Sequence, residues 1–325
     1  MLLELDRDTL STPVDPAFRA DVLAGLSAWP RAIPARWLYD RAGSELFEAI
    51  TDLPEYYPTR TETALLKNHA ADFAEAIGPG RAVIEFGSGS SAKTPLLLGG
   101  IDPSAYVPID ISGEFLREAA RGLAQRFPGL DVLPVEGDFT KRVRLPGKVL
   151  NSPKLGFFPG STIGNMGPRA ATELLRRMAE TLGDGALLLI GMDRVKPVEV
   201  LEPAYDDAAG VTAEFNLNLL RRINRELAGT IPVDAFAHRA IWNDAEARIE
   251  MHLEARRPVD FTVAGRRFTM GARETIHTEN SHKYDPRAAR LLLATGGWTV
   301  RREWTDDKGW FSLILAEARA EPAAP

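Results

Sequence analysis

The chain has 325 residues, of which 45% are hydrophobic and 26% charged, with a net charge of −6 and a pI near 5.6. That is an ordinary globular balance, with room for one large domain or two modest ones. The acidic surplus, with no basic stripe interleaved by aromatics, argues against a nucleic-acid partner, and no apolar run approaches the roughly 20 residues of a membrane span. Zero cysteines exclude disulfides, thiol nucleophiles and thiolate metal sites together. The N-terminus carries early acids and no signal-peptide core, so a cytoplasmic monomer is expected.

In chain order, Asp15-Pro16 reads as a cap and first helical position, opening a helix to about Ser27. An aromatic-dense stretch follows from Trp37 to Pro58. Thr59-x-x-Glu62 has the spacing of a capping box, ahead of Leu65, Leu66, Ala70, Phe73 and Ile77 at helical intervals. Apolar runs at 82–86, 105–109, 131–135, 154–158 and 185–191 predict strands, and 91–98, 112–126 and 168–182 predict helices between them. This alternation predicts a doubly wound parallel sheet. It stops near 194. A helix over about 211–228 and alternating residues over 248–270, broken at Ala264-Gly265, predict a separate α+β region. A helix at 286–295 and two closing strands near 297–304 and 310–316 complete the chain.

The most informative segment is Val83-Ile84-Glu85-Phe86-Gly87-Ser88-Gly89, an apolar strand running into a glycine-paired turn. Glycine has no Cβ, so the backbone there can turn sharply and approach a nucleotide-like ligand. Asp110 follows 21 residues after Gly89, where a carboxylate can accept from ribose hydroxyls. Gly87-x-Gly89-x-x-Ala92 also satisfies the loose dinucleotide fingerprint, so an NAD-dependent oxidoreductase is one reading. The closing antiparallel hairpin favours a Rossmann-like methyltransferase instead, as does the lack of a catalytic histidine or Tyr-x-x-x-Lys pair.

Several segments together resemble the ergothioneine-pathway L-histidine Nα-methyltransferases. They are Trp37-x-Tyr39-Asp40, Leu53 to Glu62, Glu85 to Gly89, Gly137-Asp138-Phe139, Gly160 to Asn165, Ala204 to Thr212, Arg248 to Met251, and Thr278-Glu279-x-Ser281-x-Lys283. The resemblance implies S-adenosylmethionine as cofactor and trimethylation of the α-amine of L-histidine to hercynine. It implies cofactor contacts at Gly87, Lys93, Asp110, Asp138 and Phe139. Substrate contacts are implied at Tyr56, Asn165, Tyr205, Met251, Glu279, Asn280 and Ser281, with Tyr39 and Tyr56 as catalytic hydroxyls. The implied fold is an α/β, class I methyltransferase sheet, 60–194 with 286–325, plus a mixed α+β substrate domain, 1–59 with 195–285.

Each residue also has a plainer reading. Asp110 suits a helix cap near Ser112, Asp138 a solvated turn, Lys93 the surface, and Tyr205 the core. Glu279 and Ser281, two apart, share a face in an extended segment, which suits a ring with two nitrogens. His277 and His282 are five apart on opposite faces, so no metal site is expected. The departure from the family pattern is Pro159, ahead of the turn that carries Asn165. An N-methyltransferase for a tryptophan derivative and a cofactor-binding protein without turnover are the remaining alternatives.

Overall fold

The computed structural model describes residues 15–89, 93–111 and 113–319. The chain divides into two compact units. One comprises the described part of Met1–Ile50 with Asp206–Ala240 and Glu250–Glu279; the other comprises Thr51–Tyr205, Ile241–Ile249 and Asn280–Pro325, of which residues past 319 lie outside the described set. The expected domain borders at 59/60, 194/195 and 285/286 differ from these. Residues 51–59, 195–205 and 280–285 group with the sheet unit, because they pack on the carboxyl end of its Leu187–Asp193 strand through Tyr57, Lys196, Lys283 and Tyr284.

The sheet unit has the expected topology. Its strands run in the order Trp298–Thr305, Phe311–Ala318, Leu187–Asp193, Lys154–Phe158, Ala82–Phe86, Ala105–Asp110 and Asp131–Val132. Val135–Glu136 also pairs with Ala105–Asp110. From Leu187–Asp193 to Asp131–Val132 the pairing is parallel, and the last two strands form the antiparallel hairpin. The order in which strands are added reverses between Lys154–Phe158 and Ala82–Phe86, the kind of switch point beyond which open α/β sheets bind ligands.

The central strands are buried on both faces, which is why they read as unbroken apolar runs rather than alternations. Ile84, Val107, Phe158, Leu188 and Ile190 pack with Leu174, Leu175, Met178, Leu293 and Trp298 on one face. Val83, Tyr106, Leu155, Phe157 and Leu189 pack with Leu65, Phe73, Leu97 and Leu123 on the other. The helix Pro286–Thr295 starts where Asp285 accepts from the Arg287 and Ala288 amides, each at 2.8 Å. Such a cap contributes about 1 kcal/mol.

The helix Tyr57–Asn68 corrects one expectation. It begins two residues before Thr59, with Pro58 in its first turn and no side-chain cap bond, so Thr59 and Glu62 are not a capping box. Proline supplies a helical φ at a position whose N–H needs no partner, and this moves the start upstream. Glu62 is thereby released for the role described below.

In the other unit, Pro16–Ser27 and Val211–Glu226 form helices. Val259–Val263 and Arg266–Met270 pair as a hairpin whose turn residues, Ala264 and Gly265, have φ of +47° and +78°. Two positive φ values match the twist of the flanking strands, the reason this turn type closes two-residue hairpins. The chain's second sheet has four strands in the order Arg31–Ala32, Thr275–His282, Arg248–Ala255, Phe236–Asn243, of which residues 31–32, 236–240, 250–255 and 275–279 belong to this unit.

Candidate active site

The glycine-paired turn leaves the Ala82–Phe86 strand at the switch point. Gly87 has φ +71°, and a Cβ on it would stand 3.0 Å from the Phe139 ring. Both backbone conformation and space therefore require glycine there. The Gly87 and Ser88 amides donate to Ile109 O at 2.9 and 3.2 Å, and the Gly89 amide donates to Asp110 Oδ2 at 3.0 Å. Asp110 thus braces the turn. Phe139 lies edge-on to Phe158, 5.8 Å between ring centres. Asp138 accepts from the amide and hydroxyl of Thr140 and pairs with Lys141 at 3.4 Å. Partial burial opposes its ionisation, yet these partners hold the carboxyl below its ordinary range. A turn held open by glycine, with an acid at one side and an aromatic ring against it, fits a cofactor that carries a nucleoside.

Beneath this turn lies a cluster of acids that sequence reasoning missed. Glu62 is fully buried; its two oxygens accept from the Gly160 amide at 3.0 and 2.9 Å, and it is ion-paired with Lys93. The strand residue Gly191 makes room for it, because a Cβ there would sit 2.2 Å from Glu62 Oε1. Lys93 is therefore not a bare surface lysine. Glu85, inside the motif strand, accepts from the hydroxyls of Tyr106 and Thr94. Complete burial pushes its pKa up to about 7, against the pull of those two hydroxyls.

At the carboxyl end of Leu187–Asp193 a second buried cluster forms. Asp193 pairs with Lys196 at 2.5 Å and Lys283 at 2.8 Å, and accepts from the Tyr57 hydroxyl at 2.6 Å. Burial opposes its ionisation, but the two ammonium groups outweigh this and hold the carboxyl below its ordinary range. Burial lowers Lys196 to about 8 and, with the charge on Asp193, pushes Tyr57 well above its usual value. Lys283 donates to Tyr205 Oη and Ser281 Oγ, each at 2.8 Å, and those two hydroxyls are 2.7 Å apart. Tyr56 stands edge-on to Tyr205 at 6.1 Å. The structure therefore brings Tyr56, Tyr205 and Ser281 together. Asn165 ends the short 3-10 turn Thr162–Asn165, after the left-handed Ser161 whose hydroxyl accepts from the Asp193 amide at 2.9 Å. Pro159 is accommodated, its carbonyl accepting from the Thr162 hydroxyl. Asn280 is partly buried, and its side-chain oxygen is enclosed with no hydrogen-bond partner.

The other expected residues lie in the second unit. Tyr39 is partly exposed and edge-on to Phe47 and Phe215, at 5.6 and 5.4 Å. Met251 is buried, its carbonyl accepting from the Thr278 hydroxyl at 3.0 Å, and Glu279 is also buried. His277 is accompanied by His252 and Glu250, whose ligand-type atoms lie within 4.8 Å of one another. The two rings are stacked at 4.8 Å and 21°, so their in-plane lone pairs run side by side instead of converging on one ion. His277 Nε2 donates to the Glu279 carbonyl at 3.0 Å. Among the described residues no helix is long and apolar enough to cross a membrane.

Residues 18–318 match the family described as histidine-specific methyltransferase, SAM-dependent. The chain belongs to this family. It is an S-adenosylmethionine-dependent methyltransferase, which removes the dinucleotide reading of the glycine turn. Histidine N-alpha-methyltransferase of Mycolicibacterium smegmatis is 42% identical over 92% of this chain and 94% of that one. Ergothioneine biosynthesis protein 1 of Neurospora crassa is 31% identical over 89% of this chain and 34% of its own length. L-tryptophan methyltransferase trpM of Psilocybe serbica is 25% identical over 94% of both chains.

Proposed function

We propose that the chain methylates the α-amine of L-histidine three times, giving hercynine as the first step of ergothioneine biosynthesis. The observation that carries this reading is the 42% identity to a histidine N-alpha-methyltransferase across nearly all of both chains. The relative named for tryptophan is far more distant, at 25%. The absence of cysteine supports work in the cytoplasm, and we take the chain to act as a monomer.

The cofactor supplies a methyl group on a sulfonium, so the chain's task is position, exclusion of water and proton handling. Gly87 lets the backbone lie against the nucleoside, Asp110 accepts from its ribose, and Asp138 and Phe139 flank its base. Lys93, already paired with Glu62, turns its remaining N–H groups to the cofactor's carboxylate. Asn165 and Tyr205 donate to the histidine carboxylate, and neutral donors suit a site that must also tolerate a sulfonium. Glu279 accepts from one imidazole nitrogen and Ser281 meets the other, with Asn280 and Met251 beside the ring. The amine must present a lone pair, which a neighbouring positive charge favours. The first two transfers each release a proton, and Tyr39 and Tyr56 are the hydroxyls we assign to relay it. Holding the substrate by both ends lets the amine turn between transfers.

The test is incubation of the chain with labelled S-adenosylmethionine and histidine, followed by mass analysis. Products heavier by roughly 14, 28 and 42 mass units are expected, one methylene each. Preferential methylation of tryptophan, or no incorporation into either amino acid, overturns the proposal.

A further inference from the structure

Lys283 lies two residues beyond Ser281, with its side chain fully enclosed. Its ammonium has three N–H groups and meets three oxygens at 2.8 Å: Tyr205 Oη, Ser281 Oγ and Asp193 Oδ2. It also stands 4.6 Å from the centre of the Tyr205 ring. An ammonium only donates. Both hydroxyl oxygens must therefore accept from Lys283, and their own protons are directed away from it. One proton closes the 2.7 Å contact between the two hydroxyls.

Charge follows the same direction. Asp193 is the acid bonded to both Lys196 and Lys283, and Tyr57 stays neutral because its ionisation is strongly suppressed. Among the directly bonded groups two ammoniums thus share one carboxylate, with Tyr205 and Ser281 as the bonded outlets on the Lys283 side. A hydroxyl that accepts from a cation is a stronger donor to the next acceptor along the chain of hydrogen bonds.

We propose that Lys283 is the positioning residue for the α-carboxylate of the amino-acid substrate: bonded to Tyr205 directly and to Ser281, whose hydroxyl proton closes the contact to Tyr205 Oη, it leaves the Tyr205 proton as the oriented donor and projects its charge through it. This rests on the reading of Tyr205 as a contact to the substrate carboxylate. Asp193 keeps Lys196 and the Tyr57 hydroxyl when Lys283 is removed, so Lys283→Met does not strand a buried acid.

The test measures Lys283→Met against the unaltered chain with histidine and with histamine, which keeps ring and amine but lacks the carboxylate. Histidine KM is expected to rise about 50-fold, the scale of one charge-assisted hydrogen bond, with kcat at saturation within about threefold. Histamine binding and S-adenosylmethionine affinity should each change less than about threefold. Because Lys283 acts through Tyr205, adding Lys283→Met to Tyr205→Phe should cost clearly less than Lys283→Met alone. If Lys283→Met lacks a cooperative melt, Lys283→Gln takes its place with the same expected pattern. Equal losses for histidine and histamine, or additive losses in the double variant, overturn the proposal. An unaltered chain inert toward histidine defeats the functional reading itself, whereas an active chain whose Lys283 variants keep their histidine KM defeats only this inference.

Discussion

Two buried clusters of ionisable groups lie at the carboxyl ends of strands in one sheet, one richer in acids and one richer in ammonium groups. Under the glycine turn, Glu62 is matched by Lys93 and burial favours the protonated form of Glu85, raising its pKa to about 7. At the end of Leu187–Asp193, Lys196 and Lys283 outnumber Asp193. A methyl donor is a cation and the acceptor amino acid carries a carboxylate, so an acid-rich and an ammonium-rich cluster suit one reactant each. The difference teaches that this fold adjusts polarity below the surface, through groups that need not touch a ligand. Buried charge costs several kcal/mol to desolvate, and its presence here is compensated by local pairing.

The comparison is broken most severely by Asp193→Ala, which leaves two buried ammonium groups without their acid. A loss of about 4 kcal/mol in unfolding free energy is expected in denaturant titration. A loss under about 1 kcal/mol would mean that the lysines relax to solvent and the cluster does not hold its charge. The acid-rich side is probed by pH. Glu85 releases its proton near 4.5 when unfolded and about 7 when folded. The folded state therefore binds the extra proton between those values, and stability falls as pH rises through that window, by about 3 kcal/mol, and is level above it. Glu85→Gln should flatten that slope, and a slope unchanged in the variant would assign it to another group. The smallest effect sharpens the comparison from outside both clusters. Glu279→Ala should weaken histidine binding about 20-fold and leave S-adenosylmethionine within about twofold, as read by calorimetric titration. Equal losses for both ligands would remove Glu279 from the substrate role.

The sheet was legible in the sequence because its strands are buried on both faces and bounded by turn residues, as at 154–158 before Pro159-Gly160. The helix at Pro286–Thr295 was legible from Asp285-Pro286, a local cap signal. Local signals also misled: Thr59 and Glu62 have capping-box spacing, but the acid's partners include an amide 98 residues away. Lys196 escaped notice, and Lys283 was seen only as part of a family segment, for the same reason. Nothing in their neighbourhoods reveals that both converge on Asp193. The stack of His252 on His277 joins two strands, so its pairing is invisible to spacing within either one. The contact of Asp110 with the glycine turn was legible from its interval after Gly89, whereas Phe139 beside Gly87 came only with the family resemblance.

The contact between Gly191 and Glu62 also binds two distant codons to each other. A side chain of any size at 191 would occupy the volume of the carboxylate, and the Gly160 amide and Lys93 would then lose a shared acceptor. Divergent descendants of this gene can therefore enlarge position 191 only after surrendering the acid at 62. Paired change at those two sites would mark lineages that have rebuilt the floor beneath the turn.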